Sequence, residues 1–222
     1  MNLSQIQDLV RIEAGEPDMA PERLDYAVEA GRKEIESRGN FYWQASHVEF
    51  VTGATVADYD VLNDWFALDF KEPRFLFMQR ATGEKWIPIP IGSWYSTLPE
   101  TTDTATGFPE RASYEGNILT LMDTPDQQYN GWFYYFAWTA NPENAMDTDD
   151  LLTNHPQMML TASIYSIKKL NVRNPGDAAP WEQLMEDEIE KAKALTNRIL
   201  KEPANVASPR EAAQILQSQA AK

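Results

Sequence analysis

Residues 146–160 read MDTDDLLTNHPQMML, and this stretch marks the change from a β-rich region to a helical one. The aspartates within 147–150 predict a polar turn, because such side chains satisfy nearby backbone groups. Asn154 or His155 is expected to cap the helix that follows, and Pro156 suits its first turn. The residues after the proline are almost wholly apolar or small, which predicts a helix buried on several sides.

A metal site is a second interpretation of the same stretch. A calcium loop starting at Asp147 would need an oxygen ligand at its fifth position and glutamate at its twelfth, but Leu151 and Met158 stand there. A zinc site needs further histidine or cysteine ligands, yet the chain has no cysteine and its other histidine is the distant His47. We therefore expect neither a metal nor another cofactor.

Motifs for nucleotide binding or nucleophilic catalysis are absent from the 222 residues. Neither a glycine-rich phosphate loop nor a serine-hydrolase elbow occurs, and nothing beside either histidine resembles an activated nucleophile. A glycosidase needs only two carboxylates across a cleft, and 34 acidic residues leave that alternative open. Our expectation is a protein that is not an enzyme.

Helical periodicity occurs at both ends of the chain. Ser4 and Gln7 fit a capping box that opens a first helix, and Gly15 ends it. Pro21 suits the first turn of a second helix. Beyond the buried helix already described, residues 179–201 carry one apolar stripe with acids near its start and bases near its end, as the helix dipole favours.

Short aromatic and β-branched runs between turn residues fill the middle of the chain and predict strands. Pro88 and Pro90 lack the N–H that a central strand needs, so their run is an edge strand or an extended arm. A long surface loop is expected over 96–110. The candidate strands are HVEFVT (47–52), WFALDF (65–70), RFLFMQ (74–79), EKWIPIPI (84–91), NILTLM (117–122) and QYNGWFYYFAW (128–138).

The last of these candidate strands has aromatic residues on both faces. Alternation places Trp132, Tyr134, Phe136 and Trp138 on one side of the strand and Phe133 and Tyr135 on the other. Such a strand is expected to be buried on both faces within a sandwich or under helices. An aromatic platform for carbohydrate is the alternative.

The predicted fold class is α+β, with a helical bundle formed by N- and C-terminal helices and an inserted antiparallel β-rich region. The predicted bundle comprises 1–39 and 154–201, and the insertion comprises 40–153. Residues 202–222 form a C-terminal arm of small and polar residues. The arm has too few large apolar residues to stay folded alone, so it is either disordered or orders on a partner.

Net charge further restricts the partners. Nineteen basic against 34 acidic residues give a formal charge of −15, which disfavours a wrapped contact with nucleic acid. No apolar run approaches the ~20 residues that cross a bilayer, and the N-terminus lacks a signal pattern, so we expect a soluble protein without membrane contact.

Two parts of the chain together form a recognisable pattern. The first is ESRGNFYWQASHVEF (36–50), in which a helix ending in Arg-Gly leads into an aromatic strand. The second runs from 108 to 189 and contains FPERASYEGNILTLMDTPDQQYNGWFYYFAW, DTDDLLTNHPQMMLTASIYSIKKL and APWEQLMEDEI. It has a strand pair, an acidic link before a proline, an apolar helix and a helix opening with tryptophan. In these two parts the chain resembles the head-to-tail adaptor, or tail-tubular, proteins of tailed bacteriophages.

This resemblance implies a virion protein of the neck or tail connector, present in the host cytoplasm before assembly. The family forms a ring of about twelve subunits that docks on the portal protein and leads to the tail nozzle or tail tube. Double-stranded DNA passes through without specific binding. We expect the arm to dock on the portal through Ile215, Leu216 and Arg210, and the acids that line the channel to come from Glu143, Asp147, Asp149, Asp150, Asp58, Asp60 and Asp64.

Overall fold

The computed structural model describes residues 1–65, 67–93, 105–170 and 175–200. It confirms the α+β fold class, with five α-helices and eight strands in two mainly antiparallel sheets among these residues. The chain forms two compact units. The helical unit comprises Met1–Trp43 and the described part of Ala140–Lys201, and the β unit comprises the described part of Gln44–Thr139.

The helical unit is organised around one buried helix. Its elements are α1 (Leu3–Ala14), α2 (Pro21–Ser37), α3 (Asp150–Asn154), α4 (Pro156–Lys169) and α5 (Ala179–Ile199). Helices α1, α2, α3 and α5 all contact α4, whose residues from Met158 to Ile167 are all buried. The apolar and small side chains after Pro156 predicted a helix that is buried on several sides. This prediction is confirmed.

Helices α2 and α4 approach each other backbone to backbone at Gly31. A Cβ atom at this position would lie 2.7 Å from the backbone nitrogen of Ser163 and 2.9 Å from its Cα. Small residues on α4 allow this approach, and glycine is the residue that permits it on α2.

The capping box of α1 lies two residues earlier than predicted. Asn2, not Ser4, is the N-cap: its side chain accepts from the backbone N–H of Gln5 at 3.0 Å, and the Gln5 side chain accepts from the backbone N–H of Asn2 at 3.0 Å. The predicted end at Gly15 is confirmed, since this residue adopts the left-handed conformation with φ of 72°.

Two sheets make up the β unit. The first has the order β1 (Ala45–Val51), β8 (Asn130–Ala137), β3 (Phe70–Gln79) and β4 (Ile87–Ile89), all antiparallel. The second has the order β2 (Asp58–Asp60), β7 (Ile118–Met122), β6 (Arg111–Glu115) and β5 (Ile91–Ser93), in which only the pair of β5 and β6 is parallel. Apolar residues of both sheets share a single buried core.

Glycine in the middle of β8 is explained by its cross-strand neighbour. Gly131 pairs with Phe50 of β1, and the Phe50 ring covers it so closely that a Cβ atom at 131 would lie 2.1 Å from the ring. The same ring stacks on Trp65 at a centroid distance of 3.9 Å. A side chain at 131 would displace this aromatic stack.

Some strand predictions were wrong. WFALDF is a turn-containing segment in which Trp65 and Ala67 insert into the core, and only Phe70 belongs to a strand. Strands β2 and β6 were missed because DYD and RASYE are short and polar. The edge position of the proline-containing run is confirmed, since it forms β4 and β5 at the edges of two different sheets. Most of the predicted loop at 96–110 lies outside the described residues.

Candidate functional site

The acidic link before α3 folds on itself through Asp147. Its Oδ2 accepts backbone N–H groups of Glu143 at 3.0 Å and Asn144 at 2.8 Å. These hydrogen bonds hold the pKa of Asp147 below its usual value, and the bond from Asn144 is the largest cause. The turn thus precedes Asp147 rather than running from Asp147 to Asp150 as predicted, and its carboxylate is fixed in the charged form.

This link also holds the start of α1. The backbone N–H of Leu3 donates to the carbonyl of Asp147 at 3.0 Å, and that of Ser4 donates to the carbonyl of Ala145 at 2.9 Å. The first N–H groups of a helix have no partner within it. Carbonyl groups about 140 positions further along the chain supply those partners here, so the link and α1 stabilise each other.

Asp149 has two structural contacts. As the N-cap of α3 it accepts the backbone N–H of Leu152 at 2.8 Å, and it forms an ion pair with the guanidinium of Arg32 on α2. The Arg32 side chain is 2 % exposed and that of Asp149 is 31 % exposed. This carboxylate therefore neutralises a buried cation and fixes the start of a helix, and its neighbour Asp150 is the first residue of α3.

His155 is the N-cap residue of α4, which is one of the two predicted positions, but its side chain makes no capping hydrogen bond. The Asn154 amide instead donates to Tyr42 Oη at 3.3 Å. His155 Nε2 lies 3.4 Å from the same hydroxyl, and its ring is 5.0 Å from that of Trp43. Burial lowers the pKa of His155. Pro156 begins the helix as predicted.

The second group of acids shapes a turn in the β unit. Asp60 accepts the backbone N–H of Leu62 at 3.0 Å and the side-chain amide of Asn63 at 2.7 Å. The amide contact is the first cause of the lowered pKa of Asp60. Asp64 accepts the backbone N–H of Asp60 at 2.8 Å, and Asp58 accepts the hydroxyl of Thr120 at 2.6 Å.

The candidate acids come from two segments, one in each unit: four lie in the link and at the start of α3, and three lie in β2 and the turn after it. Glu143, Asp150, Asp58 and Asp64 are exposed, whereas Asp147, Asp149 and Asp60 are half-buried. Among the described residues, no group of three or more histidine, aspartate or glutamate side chains is placed to hold a metal ion. The predicted arm residues Ile215, Leu216 and Arg210 lie outside the described ranges.

The aromatic strand β8 is buried fully on one face only, which corrects the expectation of burial on both. Phe133 and Tyr135 lie in the core shared by the two sheets. On the opposite face Tyr134 is buried, Trp132 and Phe136 are half-buried, and Trp138, just beyond the strand, is 43 % exposed. Alternation predicts which side chains share a face, but not what covers that face.

Side chains of neighbouring strands occupy much of the outer aromatic face. The His47 ring stacks on Trp132 with centroids 5.1 Å apart and planes 1° apart, and Trp86 meets Trp132 edge-on at 6.3 Å. The guanidinium of Arg74 lies 5.6 Å from the ring centre of Phe136. Rings packed in this way stabilise the sheet and leave less free surface for stacking on a sugar.

Most of the candidate acids have defined hydrogen-bond or ion-pair partners among the described residues. The lowered pKa values of Asp60 and Asp147 are opposite to what a carboxylic acid catalyst needs at neutral pH. Asp149 caps a helix and pairs with a cation, Asp64 closes a turn, and Asp58 and Asp150 accept side-chain hydrogen bonds from Thr120 and Asn154. Within the described ranges, no helix is long and apolar enough to cross a membrane.

A family model described as SU10 adaptor protein matches residues 1–209. The chain belongs to this family and is a bacteriophage adaptor protein, so its role is that of a structural head-tail adaptor and a component of the virion. A search of the curated proteins found no match. The resemblance inferred from 36–50 and 108–189 is confirmed at this level.

Arg32 was missed by the sequence analysis. Its partner Asp149 is 117 positions away, and a single arginine in the helix of 21–37 looks like any other solvated basic residue. One signal was available: Arg32 follows Gly31 on the side of α2 that carries the apolar residues Leu24, Val28 and Ile35. A charged residue beside an apolar stripe is a reason to search for a buried counter-charge.

Proposed function

We propose that this adaptor forms a ring that docks on the portal protein and extends the DNA channel to the tail nozzle. The observation that carries the proposal is the match to the adaptor family over 1–209. In this proposal the N- and C-terminal helices form the bundle on the portal side, and the β-rich insertion extends toward the tail.

Charge supports a channel that does not grip DNA. A ring of about twelve chains with net charge −15 would carry about −180 in total. Acids that face the lumen would repel the phosphate backbone and keep DNA mobile. Of the candidate acids, the exposed Glu143, Asp150, Asp58 and Asp64 suit this role best, because Asp149 is already neutralised by Arg32.

For the C-terminal arm, we propose that residues 203–222 anchor the adaptor on the portal. Ile215 and Leu216 would enter an apolar groove as adjacent residues of a short helix, and Arg210 would contact an acidic rim. The arm also carries few charges relative to the rest of the chain. A segment of this kind gains order only when a partner supplies the buried surface.

The test is to mix the purified protein with its cognate portal ring and count the bound subunits by native mass spectrometry and electron microscopy. We expect a ring of about twelve adaptors on each portal. A truncated chain, 1–202, should keep its circular dichroism spectrum but bind the portal much more weakly. Failure of the full chain to bind would refute the docking proposal, and equal binding by 1–202 would refute the role of the arm alone.

The carbohydrate alternative is not proposed as a second function. A sugar platform needs a ring face that is open to solvent, whereas His47 is stacked on Trp132 and Arg74 lies over Phe136. A binding assay with host polysaccharide provides the direct check, and no binding is expected.

A further inference from the structure

The β unit presents one sheet edge that differs from the other three. Strands β2, β4 and β5 form three of the four edges of the described sheets, and each has only three residues. Two of them also carry features that discourage further pairing, since β4 contains Pro88 and β2 contains two aspartates. Short strands, proline and charge are the usual means by which proteins protect sheet edges.

Strand β1 carries one charged residue, Glu49, but lacks the other protections. It spans seven residues, contains neither proline nor lysine, and pairs with β8 in unbroken register from Ala45 to Val51. Among the described residues, no backbone group pairs with its other edge. An edge strand of this length leaves a row of N–H and C=O groups free to pair with another chain.

Each face of β1 adjoins a cleft. One cleft, of about 620 Å³, extends from Glu49 and Val51 across β8 to Gln79 and Trp86, on the paired side of β1. The other, of about 540 Å³, is lined by β1 residues and by Tyr59, Trp65 and Asp64. Side chains of a strand alternate between faces, so a strand added outside β1 would place one row beside Glu49 and the other row beside the second cleft.

Charge along this edge indicates the kind of strand that fits. Glu49 is exposed on β1 and Asp64 is exposed at the second cleft, and within the described ranges neither forms an ion pair. Between Arg38 and Lys71 the sequence has five acidic residues and no lysine or arginine. An incoming basic side chain would therefore meet uncompensated carboxylates on this edge.

We infer that β1 is a docking edge for an extended segment of a partner protein, in which basic side chains alternate with apolar ones. The segment adds as a fifth strand to the first sheet. Its backbone pairs with β1, its basic row faces Glu49, and its apolar row covers Val48 and the mouth of the core cleft beside Trp65. This inference stands on the β unit alone and does not depend on portal docking.

The probe is a blocked heptapeptide of alternating valine and lysine, tested against the full-length protein. Binding is measured by isothermal titration calorimetry at low salt, and its location by amide hydrogen exchange. We expect slowed exchange within 45–51. The same peptide N-methylated at every backbone nitrogen keeps its lysine charges but loses its backbone N–H donors, and it should bind more than tenfold more weakly.

Two matched charge variants separate edge docking from general attraction to an acidic protein. Glu49→Lys should weaken peptide binding about tenfold. Glu115→Lys changes the net charge equally, but Glu115 ends β6 in the second sheet, so its effect should be less than twofold. Circular dichroism establishes that both variants are folded.

Four results of the peptide experiments would overturn the inference. These are no binding of the valine-lysine peptide, equal binding of its N-methylated form, equal effects of the two charge variants, and protection that maps outside β1. Self-association of the free protein that slows exchange in 45–51 and is lost in Glu49→Lys would also overturn it, because the occupant would then be a second copy of this chain.

Discussion

Replacing Asp149 tests whether a single carboxylate holds the acidic link to the helical unit. The residue caps α3 and pairs with Arg32, whose side chain is 2 % exposed. Loss of an N-cap costs about 1 kcal/mol. Breaking a fully buried pair costs about 3–5 kcal/mol, which we reduce to about 2 because Asp149 is 31 % exposed. The variant Asp149→Ala should therefore lower the free energy of unfolding by about 3 kcal/mol.

Asparagine at this position separates the two contributions. Asp149→Asn keeps a good N-cap but removes the charge, so it should cost about 2 kcal/mol. Asp150→Ala is the matched control: this neighbouring acid is exposed, and its carboxylate accepts only the Asn154 amide, at 3.3 Å, among the described hydrogen bonds. Its effect should stay within about 0.5 kcal/mol.

The assay is urea unfolding followed by circular dichroism at 222 nm, which reports mainly on helices. With a slope of about 1.5 kcal/mol per molar, Asp149→Ala should lower the midpoint of the helical transition by about 2 M. Near-ultraviolet signals from the aromatic β unit should move less. If Asp149→Asn were no more destabilising than Asp150→Ala, the ion pair with Arg32 would contribute nothing, and the reasoning would be refuted.

Two further predictions concern the helical unit. Gly31→Ala should destabilise the helical unit by about 2 kcal/mol, because the new methyl group meets the Ser163 backbone, and this outweighs the better helix propensity of alanine. The control is Gly176→Ala, where a Cβ atom meets nothing within 4 Å. Equal effects of the two variants on thermal unfolding would contradict the prediction. Burial lowers the pKa of His155, so the unfolded state binds the proton more readily and stability should fall as pH drops below about 6.5 toward the folded pKa. His155→Gln should flatten this dependence in urea titrations, and an unchanged dependence in this variant would contradict the prediction.

Local sequence signals were sufficient for the four longer helices, whereas the short helix α3 was not predicted. Proline at 21 and 156 and glycine at 15 mark helix ends because their backbone preferences act within one turn. The capping box was misplaced because Asn2 with Gln5 and Ser4 with Gln7 fit the same spacing. In the structure α1 starts two residues earlier than predicted, and its first N–H groups bond to the carbonyl groups of Ala145 and Asp147. A local sequence pattern cannot reveal contacts between residues so far apart in the chain.

Strands and the candidate site were harder to predict, for a common reason. An apolar run such as WFALDF fills a core equally well as a strand or as a turn, so composition did not distinguish them. The short polar strand DYD forms because β7 is there to pair with it. The acids at 147 and 149 were recognised, but their use in a turn and an ion pair depends on partners brought in by folding.

The first and last strands of the β unit are neighbours in one sheet, with Ala45 opposite Phe136. Paired residues of this kind are about 5 Å apart, a gap that a tight turn can span. A few residues could therefore close the helical chain where it enters and leaves the β unit, so the β unit is an insertion that could be deleted without stretching the helical chain.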